Sequence, residues 1–150
     1  MTKKHTETID SKLKTAWQIV SRMYNVEASK HSATISTAHF LLNVDSHEGS
    51  YASDIAPALG TESTSLSRII NSLEEEKLIT RKSDKEDKRR IKILLTAKGK
   101  QKKELAKNYV RDFNQLVAQR IGKSRIEEFF KTVNEIIEVA EERNKLQKKN

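Results

Sequence analysis

Two short runs of β-forming residues, at positions 78–82 and 91–95, stand alone in a chain whose other apolar residues recur at helical spacing. The residues between the two runs are highly charged, so the runs predict a β-hairpin with a polar tip. One proline and four glycines among 150 residues leave room for few turns. The chain is therefore expected to be mainly helical with one small β element.

The remaining apolar pattern predicts six helices around this hairpin. They are expected at about 8–29, from a cap at Ser36 to Gly49, at about 52–59, at about 62–77, from a cap at Thr96 to about 121, and from Ser124 onwards. Gly60 should end the third helix, whose first turn should lie near Pro57, because an interior proline removes a backbone hydrogen bond. The charged residues after about 141 have little to bury and are expected to fray.

The net charge of +8 is concentrated in one segment of the chain. Twelve basic and three acidic residues lie between Lys77 and Lys103, a local net charge of +9, which leaves the rest of the chain at −1. A surface that is charged only for solubility usually mixes both signs, so this segregation indicates binding to a polyanion. Nucleic acid is the first candidate and an anionic membrane surface is the second.

The third and fourth helices and the hairpin follow the order helix, tight turn, helix, hairpin. In a helix-turn-helix the second helix lies in the major groove, and its first residues reach base edges. The residues at that position are able to bond bases or phosphates, and they are Ser63, Thr64, Ser65, Ser67 and Arg68. The alternative interpretation is that these hydroxyls only cap a surface helix, and Glu62 beside them would repel phosphate. The adjacent basic hairpin favours DNA binding.

The segment from Asp87 to Gly99 has a specific pattern: an Asp, an Arg two residues later, a short β run, then Leu-Thr and a Gly. With three further segments it resembles the MarR family of transcription regulators over roughly residues 50–100; these segments are Asp54 to Gly60, Leu66 to Glu74 and Leu78 to Arg81. Lys77 departs from the pattern, because many members have glycine there. The resemblance implies a winged helix-turn-helix flanked by N- and C-terminal dimerisation helices.

The resemblance also implies the domain organisation and the residues of the wing. Residues 1–35 would form a tail and a dimerisation helix, residues 36–99 the DNA-binding domain, and residues 100–150 the C-terminal dimerisation helices with a charged tail. Arg89 is expected at the wing tip and in the minor groove, whose negative potential attracts arginine, with Asp87 holding it in position. The wing residues expected at DNA are Lys85, Asp87, Lys88, Arg89 and Arg90. The alternatives are a solvated charge run and, for Asp87, a plain turn former.

The first and last helices have more apolar surface than the small central unit can easily cover. Packing between two subunits would bury this surface, and in the resembled family these helices interlock to form the dimer. The expected contact residues are Leu13, Phe129, Phe130, Val133 and Ile137. A purely intramolecular core is the alternative interpretation.

The resembled family often binds small aromatic or amphipathic effectors between the dimer helices and the DNA-binding unit. The residues that could line such a pocket here are Trp17, Tyr24, His39 and Phe40. Without the resemblance, Trp17 on an amphipathic helix is interpreted more simply as a core residue.

The sequence offers no chemistry for catalysis. It contains no Cys, no glycine-rich phosphate loop and no paired-carboxylate motif, and His39 and His47 would lie about 12 Å apart along a helix, too far for one zinc ion. No enzyme activity, metal or cofactor is therefore expected. The polar N-terminus and the absence of a long apolar stretch predict a cytoplasmic protein without a membrane partner.

These features lead to one hypothesis and one rival. The first is a homodimer that binds double-stranded DNA at an inverted repeat as a ligand-responsive repressor. The rival is a nonspecific DNA-architectural or anionic-surface-binding protein that uses the same basic segment. A hydroxyl-rich helix with a single Arg favours base reading over the coating of phosphates.

Overall fold

The computed structural model describes residues 7–60 and 63–148, and of Ser63 only the backbone. Within these residues the chain forms six helices and three short strands. In chain order they are Ile9–Lys30 (α1), Ile35–Leu42 (α2), Ser50–Tyr51 (β1), Ala52–Leu59 (α3), Ser63–Glu75 (α4), Ile79–Ser83 (β2), Ile91–Leu95 (β3), Ala97–Ile121 (α5) and Lys123–Gln147 (α6). The predicted class, mainly α with a small β wing, is confirmed. The elements form two compact units, the first ending at Lys107 and the second beginning at Asn108.

Hydroxyl side chains cap the first turns of α1, α2 and α5, at Thr8, Thr34 and Thr96. Thr34 caps α2, since its Oγ1 accepts a hydrogen bond from the backbone N–H of Thr37 at 3.2 Å, and Thr37 Oγ1 accepts one from the N–H of Thr34 at 3.0 Å. The prediction that Ser36 is this cap was wrong, because Ser36 already lies inside the helix. α2 also ends at Leu42, well before Gly49. The predicted cap of α5 is confirmed, because Thr96 Oγ1 accepts the N–H of Gly99 at 3.0 Å.

Pro57 lies in the second half of α3, and the prediction that it falls near the first turn was wrong. The helix begins at Ala52 because β1 leads directly into it at Tyr51. The hydrogen bond that Pro57 cannot donate would have gone to the carbonyl of Ser53, whose residue is exposed, so water can replace it. Gly60 ends the helix with φ +58°, a left-handed conformation that glycine adopts without strain.

The three strands form an antiparallel sheet in the order β1-β3-β2. β2 and β3 are the predicted hairpin, paired from Ile79 opposite Leu95 to Ser83 opposite Ile91. β1 was not predicted, and it pairs Ser50 with Ile93 and Tyr51 with Lys92. The sheet therefore connects the start of α3 to the hairpin.

The core of the first unit is apolar and draws on α2, α3, α4 and the sheet. Its buried residues are Phe40, Leu41, Val44, Ile55, Leu66, Ile70, Leu73, Leu78, Ile79 and Ile93. Each fully buried large aliphatic or aromatic side chain stabilises the fold by about 1.5–3 kcal/mol relative to exposure. This cluster therefore fixes α4 and the root of the hairpin on one scaffold.

Gly99 allows α5 to approach the hairpin closely. A Cβ atom at this position would lie 1.9 Å from the carbonyl oxygen of Leu78, which is backbone and cannot move aside easily. Thr96 strengthens the same junction, because its Oγ1 donates to the carbonyl oxygens of Lys77 and Leu78, at 2.7 and 3.1 Å. The Thr and Gly of the sequence pattern thus serve one packing contact.

Lys77 ends α4 in a left-handed conformation, with φ +59°. The N–H of Leu78 donates to the carbonyl of Leu73, and the N–H of Lys77 donates to that of Glu74, both at 2.9 Å. This is the helix-ending arrangement in which glycine usually occupies the left-handed position, because a Cβ atom makes that conformation costly. Lys77 therefore occupies a position whose conformation glycine would adopt without a Cβ penalty.

The second unit consists of the end of α5 and all of α6. α6 begins at Lys123, one residue before the predicted start, after Gly122 with φ +89°. It continues to Gln147, so the prediction that the residues after about 141 fray was wrong. Glu, Arg, Lys, Leu and Gln dominate this stretch, and they are all good helix formers even where nothing is buried.

Candidate nucleic-acid interface

α4 presents its polar face to solvent and its apolar face to the core. Leu66, Ile70 and Leu73 are buried, at the spacing of one helix face. The predicted DNA-binding residues of this helix that the structure describes are all exposed, and they are Thr64, Ser65, Ser67 and Arg68. The side chain of Ser63 and all of Glu62 lie outside the described residues. The exposed face can therefore offer hydroxyls and one guanidinium to a groove.

The loop between β2 and β3 is closed by backbone and side-chain hydrogen bonds. The N–H of Asp84 donates to the carbonyl of Arg90 at 3.0 Å, and the N–H of Arg90 donates to that of Asp87 at 2.9 Å. Asp84 Oδ1 also accepts the N–H groups of Glu86 and Asp87, at 2.8 and 3.0 Å. We call residues 84–90 the wing tip. It is a defined turn in which Lys85 and Lys88 are exposed.

Among the wing-tip residues that form ion pairs, Arg89 is the most exposed to solvent. Its side chain is 94% exposed, and its Nε lies 3.4 Å from Oδ1 of Asp87. The same Asp87 oxygen accepts the backbone N–H of Arg89 at 3.0 Å. An ion pair this exposed contributes little to stability, but it restricts where the arginine side chain points.

Arg90 lies differently from its neighbour, because its guanidinium contacts the protein. The guanidinium carbon is 3.7 Å from the centre of the Tyr51 ring, and one terminal nitrogen is 3.8 Å from Oδ2 of Asp54 on α3. Cation–π attraction and the nearby carboxylate both favour this placement. A direct contact of Arg90 with DNA stays a prediction.

Tyr51 and Asp84 form a contact that was not anticipated from the sequence. The Tyr51 hydroxyl donates to Oδ2 of Asp84 at 2.5 Å. This bond, followed by the N–H groups of Asp87 and Glu86, lowers the pKa of Asp84 to about 2, and the carboxylate in turn raises the pKa of Tyr51. No local feature of the sequence links these two residues, which lie 33 positions apart.

Several basic residues of the charged segment act within the protein. Arg81 pairs with Glu74 of α4, and Lys98 Nζ donates to the carbonyl of Glu76 at 3.0 Å. Lys102 and Lys103 donate to the backbone carbonyls of His31 and Val44. These contacts tie α5 and β2 to other segments of the first unit, whereas Lys85, Lys88 and Arg89 of the wing tip are exposed.

The four residues proposed for an effector pocket do not share one environment. Trp17 is 53% exposed, and its ring stacks on that of His39, with centroids 6.0 Å apart. Partial burial lowers the pKa of His39, so the stacked imidazole is neutral near pH 7. Tyr24 is half-buried. Phe40 is completely buried in the core, so a ligand could reach it only if the core opened.

The residues predicted at a dimer contact are mostly exposed in the single chain. In α6, Phe129 and Phe130 are 57% and 55% exposed, and Ile137 is also exposed, while Val133 is half-buried. Leu13 of α1 is exposed as well. Large aromatic side chains left in water are unusual for a helix that has no partner.

Two further findings concern metal sites and membrane spans in the described part of the chain. Within residues 7–60 and 63–148, no three His, Asp or Glu side chains are grouped as a metal site. No helix in the same part of the chain has the length and apolar character required to cross a bilayer.

Comparisons with known proteins find one similar family and several similar solved structures. Residues 33–91 match the model of the MarR family, whereas no curated protein matches the chain. Among solved structures, the transcriptional regulator SlyA aligns with a TM-score of 0.81 at 22% identity, covering 91% of this chain and 96% of its own. MepR of S. aureus in complex with DNA gives a TM-score of 0.82 at 20% identity, covering 89% and 99%. FabT of Streptococcus pneumoniae in complex with DNA aligns with a TM-score of 0.74 at 18% identity, covering 89% of this chain and 96% of its own.

The family match covers α2, α3, α4 and most of the wing, the elements that form the core described above. The structural matches extend the same fold to the long flanking helices. Residues 33–91 are therefore similar to the MarR family, and the chain shares the winged-helix fold of the solved transcription regulators that it matches.

Proposed function

We propose that this chain is a sequence-specific DNA-binding regulator that acts as a homodimer, with α4 in the major groove and the wing tip at the adjacent minor groove. The observation that carries the proposal is that the first unit presents two chemically different surfaces. One is the hydroxyl-rich exposed face of α4, and the other is a basic loop whose Arg89 side chain is 94% exposed. The solved complexes of MepR and FabT with DNA support the same class of partner.

The exposed face of α4 is suited to reading bases. The short side chains of Thr64, Ser65 and Ser67 let a helix approach the floor of a groove, and Arg68 can donate two hydrogen bonds to one guanine. The buried residues on the opposite face hold the helix rigidly, and a rigid helix aims these donors without a further entropic cost.

The wing tip is suited to a narrow, negatively charged groove. Asp87 contacts both the backbone and the side chain of Arg89, so the guanidinium is already restricted before DNA binds. Lys85 and Lys88 beside it add charge that would contact phosphates without reading bases. Binding by this loop would therefore add affinity at many sequences, especially A·T-rich ones.

The exposed apolar residues of α1 and α6 support a homodimer. A symmetric dimer would present two copies of α4, and two equivalent recognition helices select an inverted repeat. If Val133 lies at this contact, Val133→Asp buries an unpaired charge and should yield a monomer that no longer binds DNA. A variant that sediments as a dimer at the wild-type concentration contradicts this assignment of α6.

We further propose that a small aromatic ligand controls binding and that the regulator is a repressor. The stacked rings of Trp17 and the neutral imidazole of His39 offer a partly exposed aromatic surface for such a ligand. A ligand can release DNA only to the extent that it prefers the form with lower DNA affinity. We propose no catalytic role, metal or cofactor.

The second candidate is a protein that binds DNA or anionic surfaces without sequence preference. The basic wing tip alone would suffice for that role. The hydroxyl-rich face of α4, with its single Arg, favours the first candidate, because a phosphate-coating helix would be expected to contain more cations.

Selection of duplexes from a random pool by the purified chain tests the proposal. We expect enrichment of one inverted repeat, bound at least about a thousandfold more tightly than a random duplex of equal length at the same salt concentration. Vesicles of anionic lipid serve as the control for a general polyanion binder. Equal affinity for the enriched and random duplexes, with strong binding to the vesicles, would contradict the proposal and support the second candidate.

A further inference from the structure

Tyr51 connects the start of the helix-turn-helix to the wing. It is the last residue of β1 and immediately precedes α3, where its side chain makes no cap for that helix. Its hydroxyl instead donates to Oδ2 of Asp84 at the end of the wing hairpin, at 2.5 Å. A side chain at the root of α3 is thereby bonded to the loop that presents Arg89.

Asp84 links Tyr51 to the other residues of the wing tip. While Oδ2 accepts the Tyr51 hydroxyl, Oδ1 accepts the N–H groups of Glu86 and Asp87. Asp87 in turn accepts both the N–H and the Nε–H of Arg89. A continuous series of hydrogen bonds therefore runs from Tyr51 to the guanidinium at the tip.

The ring of Tyr51 makes a second contact with the same loop. The guanidinium of Arg90 lies 3.7 Å from the ring centre and reaches towards Asp54 of α3. Lys92 Nζ lies 5.7 Å from the ring centre. The hydroxyl and the ring thus hold the two ends of the wing tip, at Asp84 and at Arg90.

We propose that Tyr51 is a positioning residue for DNA binding, which fixes the direction in which the wing tip presents Arg89 relative to α3. This inference rests on the proposed function. Tyr51 itself would not contact DNA; it acts through Asp84 and the turn that Asp84 holds. Without the hydroxyl the loop keeps its charge but samples more orientations, so Arg89 pays an ordering cost when it enters the groove.

A double-mutant cycle separates this role from a general structural one. Tyr51→Phe retains the ring and its contact with Arg90 but removes the donor to Asp84. We call the inverted repeat selected from the random pool the operator. In the wild-type background we expect Tyr51→Phe to weaken binding to operator and random duplexes by roughly three- to tenfold. This is the range expected when part of the free energy of one hydrogen bond to a charged acceptor is lost from DNA binding. In an Arg89→Ala background the same change should weaken binding less than about twofold, because the side chain that it positions is gone.

A measurement without DNA accompanies the cycle. The carboxyl carbon of Asp84 should titrate with a pKa near 2 in the wild type and at a clearly higher pKa in Tyr51→Phe. Tyr109→Phe in α5 is the matched control, since it removes one phenol hydroxyl far along the chain from the wing. It should leave the Asp84 titration unchanged.

The outcomes distinguish the inference from the function on which it rests. An unchanged Asp84 titration in Tyr51→Phe overturns the inference, as does an equal loss of affinity in the presence and absence of Arg89. If Arg89→Ala alone leaves all DNA binding intact while the Asp84 titration shifts as expected, the contact is real and the proposed role of the wing has failed. A Tyr51→Phe effect confined to the Arg89-containing background supports the inference.

Discussion

α4 packs Leu66, Ile70 and Leu73 into the core, whereas the wing tip is positioned by polar groups. Its turn depends on the carboxylates of Asp84 and Asp87 and on the hydroxyl of Tyr51. The two surfaces proposed to meet DNA are neighbours in sequence, joined through β2. They are nevertheless held in place by different interactions.

Because they are held differently, the two surfaces should respond differently to acid and to substitutions. Apolar burial involves no ionisable group, so mild acid does not remove it, and the orientation of α4 should persist as long as the domain is folded. Hydrogen bonds and ion pairs at an exposed loop contribute little to stability, yet they decide where a side chain points. Substitutions in the core below α4 should therefore affect folding, and those in the wing should affect binding.

The largest expected effect is on α4. Leu73→Ala should lower the free energy of unfolding by about 2–5 kcal/mol, because Leu73 is 0% exposed and its truncation leaves a cavity. Urea denaturation measures the change. Ile91→Ala in the exposed part of β3 is the matched control and should cost less than about 1 kcal/mol. Equal losses for the two variants would remove the contrast between the core-bound helix and the wing.

A smaller effect is expected at the junction between the two surfaces. Lys77→Gly should raise the free energy of unfolding by about 1 kcal/mol, because glycine adopts the left-handed conformation at φ +59° without a Cβ penalty. Lys77→Ala removes the same charge but keeps the Cβ atom, and it should not stabilise the chain. A Lys77→Gly protein less stable than Lys77→Ala would contradict the strain assigned to this residue.

The smallest effect is expected from acid at the wing. The folded pKa of Asp84 is about 2, below the ordinary value of about 3.9, so its stabilising contribution is present above pH 4 and is lost as the pH falls towards 2. Asp84→Asn lacks this contribution at every pH. The difference in Tm between wild type and Asp84→Asn should therefore shrink across that window, as followed by thermal unfolding. A difference that grows with acid would show that the pKa is raised.

The periodic features of the sequence predicted most of the fold. The apolar spacing in α1, α4, α5 and α6, and the two β runs of the hairpin, are long enough to identify each element. The position of Arg89 at an exposed wing tip agrees with what the Asp87 to Gly99 pattern implied. These features are local, and local spacing is what a sequence displays directly.

The features that could not be predicted depend on pairs of residues far apart in the chain. β1 has only two residues, too few for any alternation, and it exists because Ser50 and Tyr51 pair with β3. The bond between Tyr51 and Asp84 arises from that same pairing. The start of α2 at Ile35 was missed for a different reason, since Thr34, Ser36 and Thr37 are all acceptable caps and only the geometry selects Thr34.

The most direct test of the whole account compares Arg68→Ala and Arg89→Ala on the operator and on random duplexes, with Lys107→Ala as a control for the loss of one positive charge. Arg68→Ala should reduce the preference for operator over random DNA by about 1–3 kcal/mol, because it removes a contact to a base. Arg89→Ala should weaken binding to both duplexes, with a shallower salt dependence and a nearly unchanged preference. The reverse pattern, or a preference that neither substitution alters, would contradict the division of base reading and general affinity between α4 and the wing.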